Sequence, residues 1–172
     1  QPAAPAAPAK AKFTYKDLVL CYPQLGAESD WRTADAASFK ETATQLGIKQ
    51  LIFSDAQQKQ ENQISAMRAC IQQGVNVIAL PPVVETGWDA VLTEAKNAGI
   101  PVIVVDRSVT ADASLYAAHI GSDMVIEGER SAAEFNKMLP NGDNTLELSG
   151  TTGSGAAVGR AKGFRAKLNA NI

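Results

Sequence analysis

At 172 residues, 45% hydrophobic and 20% charged, the chain has the length and balance of an ordinary globular domain. Its net charge of −2 argues against a nucleic-acid partner, because phosphate neutralisation needs clustered Lys and Arg. No apolar run approaches the ~20 residues that cross a bilayer, since the longest, Val77 to Val84, is broken by Pro81 and Pro82.

In chain order, Gln1 to Ala9 is a Pro/Ala tract followed by Lys10 and Lys12, and residues 1–15 read as a linker. A start on Gln with no initiator Met is expected of a mature end left by signal-peptide cleavage, and equally of an artificial boundary. Asp17 to Tyr22 reads as a first strand. A helix follows from Asp30 to Leu46, capped by Ser29 or Asp30, with Phe39, Ala43 and Leu46 on one face and Gly47 as its stop. Gln50 to Ser54 is a second strand. Gln60 to Gln73 is a helix, with Ile64, Met67 and Ile71 at helical spacing and Gly74 behind it.

The alternation continues with a strand at Val77 to Leu80 and a helix at Trp88 to Ala98, striped by Trp88, Val91, Leu92 and Ala95. Val102 to Val105, four apolar residues in a row, is a strand covered on both faces. Tyr116 to Ile120 is a fifth strand. Such alternation with short loops gives a doubly wound α/β domain. The unit then restarts: a helix at Asp123 to Leu139 aligning Gly128, Ala132, Phe135 and Leu139, a strand at Thr145 to Leu148, and a helix at Ala156 to Leu168. A strand should follow to cover that helix, so the chain is expected to be interrupted. Cys21 falls in a strand and Cys70 in a helix, and the pair reads as two buried thiols rather than a bridge.

In open α/β sheets ligands bind beyond the carboxyl ends of the strands. The residues after each strand therefore form a candidate site: Glu28, Ser29, Asp30, Trp31 and Arg32 after the first, Asp55, Gln57 and Gln58 after the second, and Asp106, Arg107 and Ser108 after the fourth. Arg160 follows the glycine-rich stretch Gly150 to Gly155. This set fits a polyol. Guanidinium forks donate to neighbouring hydroxyls, carboxylates accept from them, and an indole offers a flat face to ring C–H groups. Each piece also has a plainer reading, with Asp106-Arg107 as a local ion pair, Trp31 as core, and Arg32 and Arg160 as solvated charges.

Enzymatic readings are weaker. His119 is the only histidine and has no partner at ligand or triad spacing. The loop Gly150 to Gly155 lacks both the P-loop ending and the G-x-G-x-x-G spacing, because position 158 is Val158. No nucleophile–base pair is found, so no catalytic residue, cofactor or metal is expected.

The stretches Asp55 to Ile64, Gln73 to Val83 and Ala98 to Ser108, with Gly26 to Arg32 and Gly87-Trp88, resemble the ribose- and galactose-type periplasmic binding proteins, type I, nearest their galactofuranose-binding branch. The resemblance covers Val19 to Leu168. It implies a Rossmann-like lobe at residues 16–119 and the start of a second at 120–172, closing around one monosaccharide such as galactofuranose or a related hexose or pentose. It also implies a periplasmic protein that is not itself membrane-spanning and delivers sugar to the membrane permease of an ABC transporter. Carried over by position, the sugar contacts are Glu28, Ser29, Trp31, Arg32, Asp106 and Arg107, with Arg160 from the second lobe. The same fold also serves as the effector core of transcription regulators and chemoreceptor sensors, although no basic helix-turn-helix stands at Gln1 to Tyr15. Asp30 stands where the family's loop has Gly. The family runs to about twice single-domain length, so weak or no sugar binding is expected of these 172 residues alone.

Overall fold

A computed structural model describes residues 13–168. Most of the N-terminal linker assignment lies outside them; Phe13 and Tyr15 are exposed, and a short 3-10 turn at Tyr15–Asp17 leads into the sheet. Five strands, β1 (Val19–Gln24), β2 (Gln50–Asp55), β3 (Val77–Leu80), β4 (Val102–Val105) and β5 (Ala118–Ile120), form one sheet in the order β2-β1-β3-β4-β5. Every pairing is parallel, in agreement with the doubly wound expectation. The intervening helices are α1 (Asp30–Leu46), α2 (Gln60–Gln72) and α3 (Asp89–Asn97). A second pair, α4 (Met124–Met138) and α5 (Gly155–Lys167), follows the sheet.

Two adjacent residues of β1 show how the sheet is covered. Successive side chains of a strand point to opposite faces. Tyr22 stacks on Phe39 of α1 with ring centroids 3.9 Å apart, whereas Cys21 bonds Cys70 of α2. Helices α1 and α2 therefore lie on opposite faces. The α2 face holds the main core, where Met67, Ile78, Leu80, Trp88, Leu92 and Val102 pack together. Trp88 is fully buried and its indole N–H donates to Val84 O at 2.7 Å, so its polar atom is satisfied as burial requires. The helix ends follow the sequence closely. Ser29 caps α1 by accepting from the Arg32 N–H at 3.2 Å, and Gly47 ends it in the left-handed region at φ 61°.

The cysteine reading is corrected. Cys21 and Cys70 form a disulfide across 49 residues of sequence, joining β1 to α2 inside the core. Burial and bridging are compatible here, because the strand and helix are packed closely enough for the two Cα atoms to stand 6.2 Å apart.

The strand expected at Thr145 to Leu148 is also corrected, since the segment has no regular structure. An apolar run becomes a strand only against a neighbouring ladder, and among the described residues no strand pairs with it. Leu146 and Leu148 are accordingly 85% and 88% exposed.

Helices α4 and α5 meet through glycine. Gly155, Gly159 and Gly163 recur every fourth residue of α5, which places them on one face. A Cβ at Gly163 would stand 1.9 Å from Val125 O, and one at Gly128 of α4 would stand 2.1 Å from Arg160 O. Only bare backbone allows this approach. Phe135 and Phe164 close the crossing edge to face, at 5.4 Å.

Two stability measurements follow. Replacing both Cys21 and Cys70 by Ala should lower the unfolding free energy by about 2–4 kcal/mol, read from urea denaturation, because the bridge closes a long loop. Gly163→Ala should cost about 1–3 kcal/mol through overpacking, seen as a lower thermal midpoint; an unchanged midpoint would show that α4 and α5 are not held at this distance.

Candidate functional site

The site is built at the carboxyl edge of the sheet, where the order reverses between β1 and β3. One buried side chain pins the two strand ends there. Gln63 of α2 is fully buried, donates to Pro23 O at 2.9 Å and Pro81 O at 2.7 Å, and accepts from the Val83 N–H at 2.9 Å. The two prolines interrupt backbone donation and the glutamine replaces part of the missing ladder. Beyond β1, the turn at Gly26 lies against Gln58, whose N–H donates to Leu25 O at 2.6 Å. This contact directs the chain into Glu28 and Ser29.

Arg32, on the first turn of α1, is 2% exposed. Its three guanidinium nitrogens each reach a different carboxylate: Nε to Glu28 Oε1 at 3.3 Å, Nη1 to Asp35 Oδ2 at 3.3 Å, and Nη2 to Asp106 Oδ2 at 2.7 Å. Burial opposes the charge on Arg32, but Asp106, Glu28 and Asp35 outweigh it and hold the guanidinium above its ordinary pKa.

Asp106 reaches Arg32 from a turn after β4. Its φ of 62° is unusual for a non-glycine residue. The conformation is held by its own N–H donating to Ile120 O at 2.8 Å and by the Arg107 N–H donating to Val105 O at 2.7 Å, a tight γ-type turn. Such local strain concentrates at ligand sites. It also turns the next side chain back to the site: Arg107 donates through Nη2 to Glu28 Oε1 at 3.1 Å and through Nη1 to Val83 O at 3.2 Å. Burial pulls the Arg107 pKa below its ordinary value, with the neighbouring charge of Arg32 acting in the same direction.

Five charges are thus locked together. Three carboxylates (Glu28, Asp35 and Asp106) against two guanidiniums (Arg32 and Arg107) leave one net negative charge. Glu28 Oε1 serves both guanidiniums, while Glu28 Oε2 is buried and has no hydrogen-bond partner among the described residues. A buried acceptor in that state costs about 1–3 kcal/mol, and more when charged.

Glu28, Ser29 and Arg107 line a cleft of ≈ 630 Å³ whose other wall includes Arg160 and the segment 145–151. Arg160 donates from Nε to Glu127 Oε2 at 2.7 Å in a half-exposed pair, and that bond, with another from Ser122, depresses the Glu127 carboxyl. The loop before α5 is docked on the first half, with the Glu85 N–H donating to Gly153 O at 2.9 Å.

Of the seven residues singled out in the sequence, four line the cleft, and Arg32 and Asp106 sit in the ionic cluster behind it. Trp31 is 57% exposed, so the core reading fails for it; its ring lies 4.7 Å from the Arg32 guanidinium carbon. Asp30 is the first residue of α1 and Ser29 is its cap. His119 approaches Asp106 O at 3.3 Å, beside the turn.

Sequence reasoning missed Asp35, Tyr22 and Gln24. Asp35 Oδ2 accepts from Tyr22 Oη in a very short bond and from Gln24 Nε2 at 3.1 Å, besides Arg32. The available signal was the Arg32–Asp35 spacing of three, which places two opposite charges on one helix face.

A model of a periplasmic binding protein domain matches residues 23–172. The chain is 45% identical over 150 residues to the galactofuranose-binding protein YtfQ of Escherichia coli K12, covering 86% of this chain and 46% of that one. It is 33% identical over 153 residues to the fructose import binding protein FruE of Bifidobacterium longum, again covering 86% and 46%. A solved arabinose-transporter binding protein from Shewanella sp. ANA-3, bound to L-arabinofuranose, superposes with a TM-score of 0.81 at 46% identity, covering 86% of this chain and 49% of that one. A Mycobacterium smegmatis protein in complex with β-D-fucofuranose gives 0.81 at 48% identity, covering 87% and 50%. The chain spans about half the length of the curated relatives it matches.

Burial, and then the bond to Asp35, push the Tyr22 hydroxyl well above its ordinary pKa of 10.0. Because the folded value is the higher one, the stability this adds is complete below about pH 10 and is lost as pH rises further, when the unfolded chain releases the proton first. Urea midpoints should therefore fall between about pH 9 and about pH 11, and Tyr22→Phe should flatten that decline.

Proposed function

The chain belongs to the periplasmic binding protein family, and from that premise we propose that it captures a furanose-form monosaccharide for an ABC importer. Residues 16–119 serve as one lobe and 120–172 as the start of the other. The protein works in the periplasm, and its second partner is the membrane permease that receives the sugar. Relatives bound to L-arabinofuranose and β-D-fucofuranose, both neutral five-membered rings, support the ligand class.

The observation that carries this reading is the cleft-side carboxylate of Glu28, with one oxygen saturated by two guanidiniums and the other buried and unpaired. A sugar hydroxyl is a neutral donor that would relieve it once the Glu28 side chain, which lines the cleft, turns that oxygen outward. Hydrogen bonds to charged groups contribute about 1.5–3 kcal/mol, enough to separate a hydroxylated ligand from an apolar one of the same shape. Arg107 supplies donors beside it and Ser29 a hydroxyl at the lip. Asp106 and Arg32 complete the charged floor, and Trp31 serves as the rim platform for a ring's C–H face. Arg160 approaches from the opposite wall after exchanging Glu127 for the ligand. No bond is made or broken; the ligand's preference for the closed arrangement does the work. The surplus negative charge of the cluster disfavours uronic acids and sugar phosphates.

Isothermal titration of the full-length protein should show methyl β-D-galactofuranoside or L-arabinose binding, and no response to galacturonate. Glu28→Gln should weaken the sugar at least tenfold, or about 1.4 kcal/mol. Silence towards every neutral aldose, with a response to another chemical class, would sink the proposal.

A further inference from the structure

Behind the cleft lies a second set of groups, none of which lines it. Asp35 is mostly buried, its side chain 12% exposed, and all three of its hydrogen bonds fall on one oxygen, Oδ2. Two of the donors, Tyr22 Oη and Gln24 Nε2, belong to β1, and the third is Arg32 Nη1. Tyr22 is itself immobilised between Phe39, at 3.9 Å, and Phe53, at 5.8 Å. Gln24 is 2% exposed, donates also to Tyr22 Oη at 3.2 Å, and accepts from the Leu25 N–H at 2.8 Å. Asp35 is therefore fixed from the sheet side before it meets Arg32.

The other two bonds of Arg32 run to Glu28 and Asp106, on loops that leave different strands. Glu28 lines the cleft, and Asp106 stands in the ionic cluster behind it. Asp35 is the anchor of Arg32 that buried side chains of β1 hold in place. We propose that Asp35, held by Tyr22, is a positioning residue for sugar binding: it holds Arg32 as a bracket that keeps Glu28 and Asp106 at the spacing a ligand requires, without touching the ligand. The inference rests on the sugar-binding reading above and adds a determinant of affinity outside the cleft.

A purely structural role, pinning α1 to the sheet, would change stability alone. Two readouts separate the possibilities in the full-length protein. Trp31 is exposed and its ring faces the Arg32 guanidinium, whereas Trp88 is fully buried, so the acrylamide-quenchable emission that Trp31→Phe removes is assigned to Trp31. Asp35→Asn, which keeps the side chain's shape, should shift that emission in the ligand-free protein. It should also weaken methyl β-D-galactofuranoside or L-arabinose at least tenfold. In an Arg32→Lys background the same substitution should add less than twofold, because the bracket through which it acts is already gone. Should Asp35→Asn fail to fold, Tyr22→Phe carries the same test, with an expected loss of about threefold in affinity and the same direction of emission change. Unchanged Trp31 emission, or an equal loss in both backgrounds, overturns the proposal. If the unmodified protein binds neither sugar, the binding reading fails, and the ligand-free emission alone decides whether Asp35 sets the position of Arg32.

Discussion

A guanidinium that is 2% exposed has to be surrounded by acceptors, and much of this site's architecture follows from that requirement. Arg32 draws one carboxylate from its own helix, one from the loop before it, and one from a turn 74 residues away. Removing a single partner from such a cluster costs about 3–5 kcal/mol, since the remaining charge stays buried. The loops after β1 and β4 are thus fixed to each other by electrostatics before any ligand arrives. That pre-organisation lowers the ordering cost of binding.

The sheet makes the cluster possible through β1. This strand lies inside the sheet between β2 and β3, and its side chains serve three purposes in sequence. Cys21 locks it to α2, Tyr22 supports α1 and Asp35 from the other face, and Gln24 feeds the same carboxylate at the strand's end. Gln63 then ties that end to the end of β3. The left-handed turn at Asp106 belongs to the same logic. A residue in that region costs of order 1–3 kcal/mol, offset here by the short Arg32 ion pair and by the Ile120 carbonyl behind it. Gly121 is needed close by, because a Cβ there would stand 2.3 Å from Asp106 O.

The elements legible from sequence were those whose cause is local. Ser29, Gly47 and the apolar runs of β3 and β4 set their own boundaries, and the observed spans match. Strand-end placement led directly to Glu28, Arg107 and Asp106, because topology decides where a strand's last residues go. What escaped depends on partners distant in sequence. The Cys21–Cys70 bridge needs the strand–helix distance, and Asp35 looks like any exposed helical acid until Tyr22 and Arg32 are seen on either side of it. The missing strand at Thr145 to Leu148 is the reverse case, a run with strand composition and no ladder beside it. The glycines of α5 likewise read as a weak helix from propensity alone, while their function is to admit the backbone of α4.

The two walls of the cleft are built to opposite specifications, and this asymmetry suits a hinged clamp. On one side, Arg32 and Arg107 are buried, multiply bonded and fixed by the core. On the other, Arg160 is 53% exposed and among the described residues its guanidinium pairs with Glu127, which is itself 35% exposed. An ion pair of that kind contributes only about 0–1 kcal/mol, so exchanging Glu127 for a ligand oxygen is nearly free. The close α4–α5 crossing then has a purpose. Gly159 precedes Arg160 and would place a Cβ 2.7 Å from Met124 Cβ, so the helix axis is held close to α4 while the side chain one residue on is half-exposed. Under the proposed function, the buried floor would select the ligand, and Arg160, carried on a helix held by its glycines, would close on it.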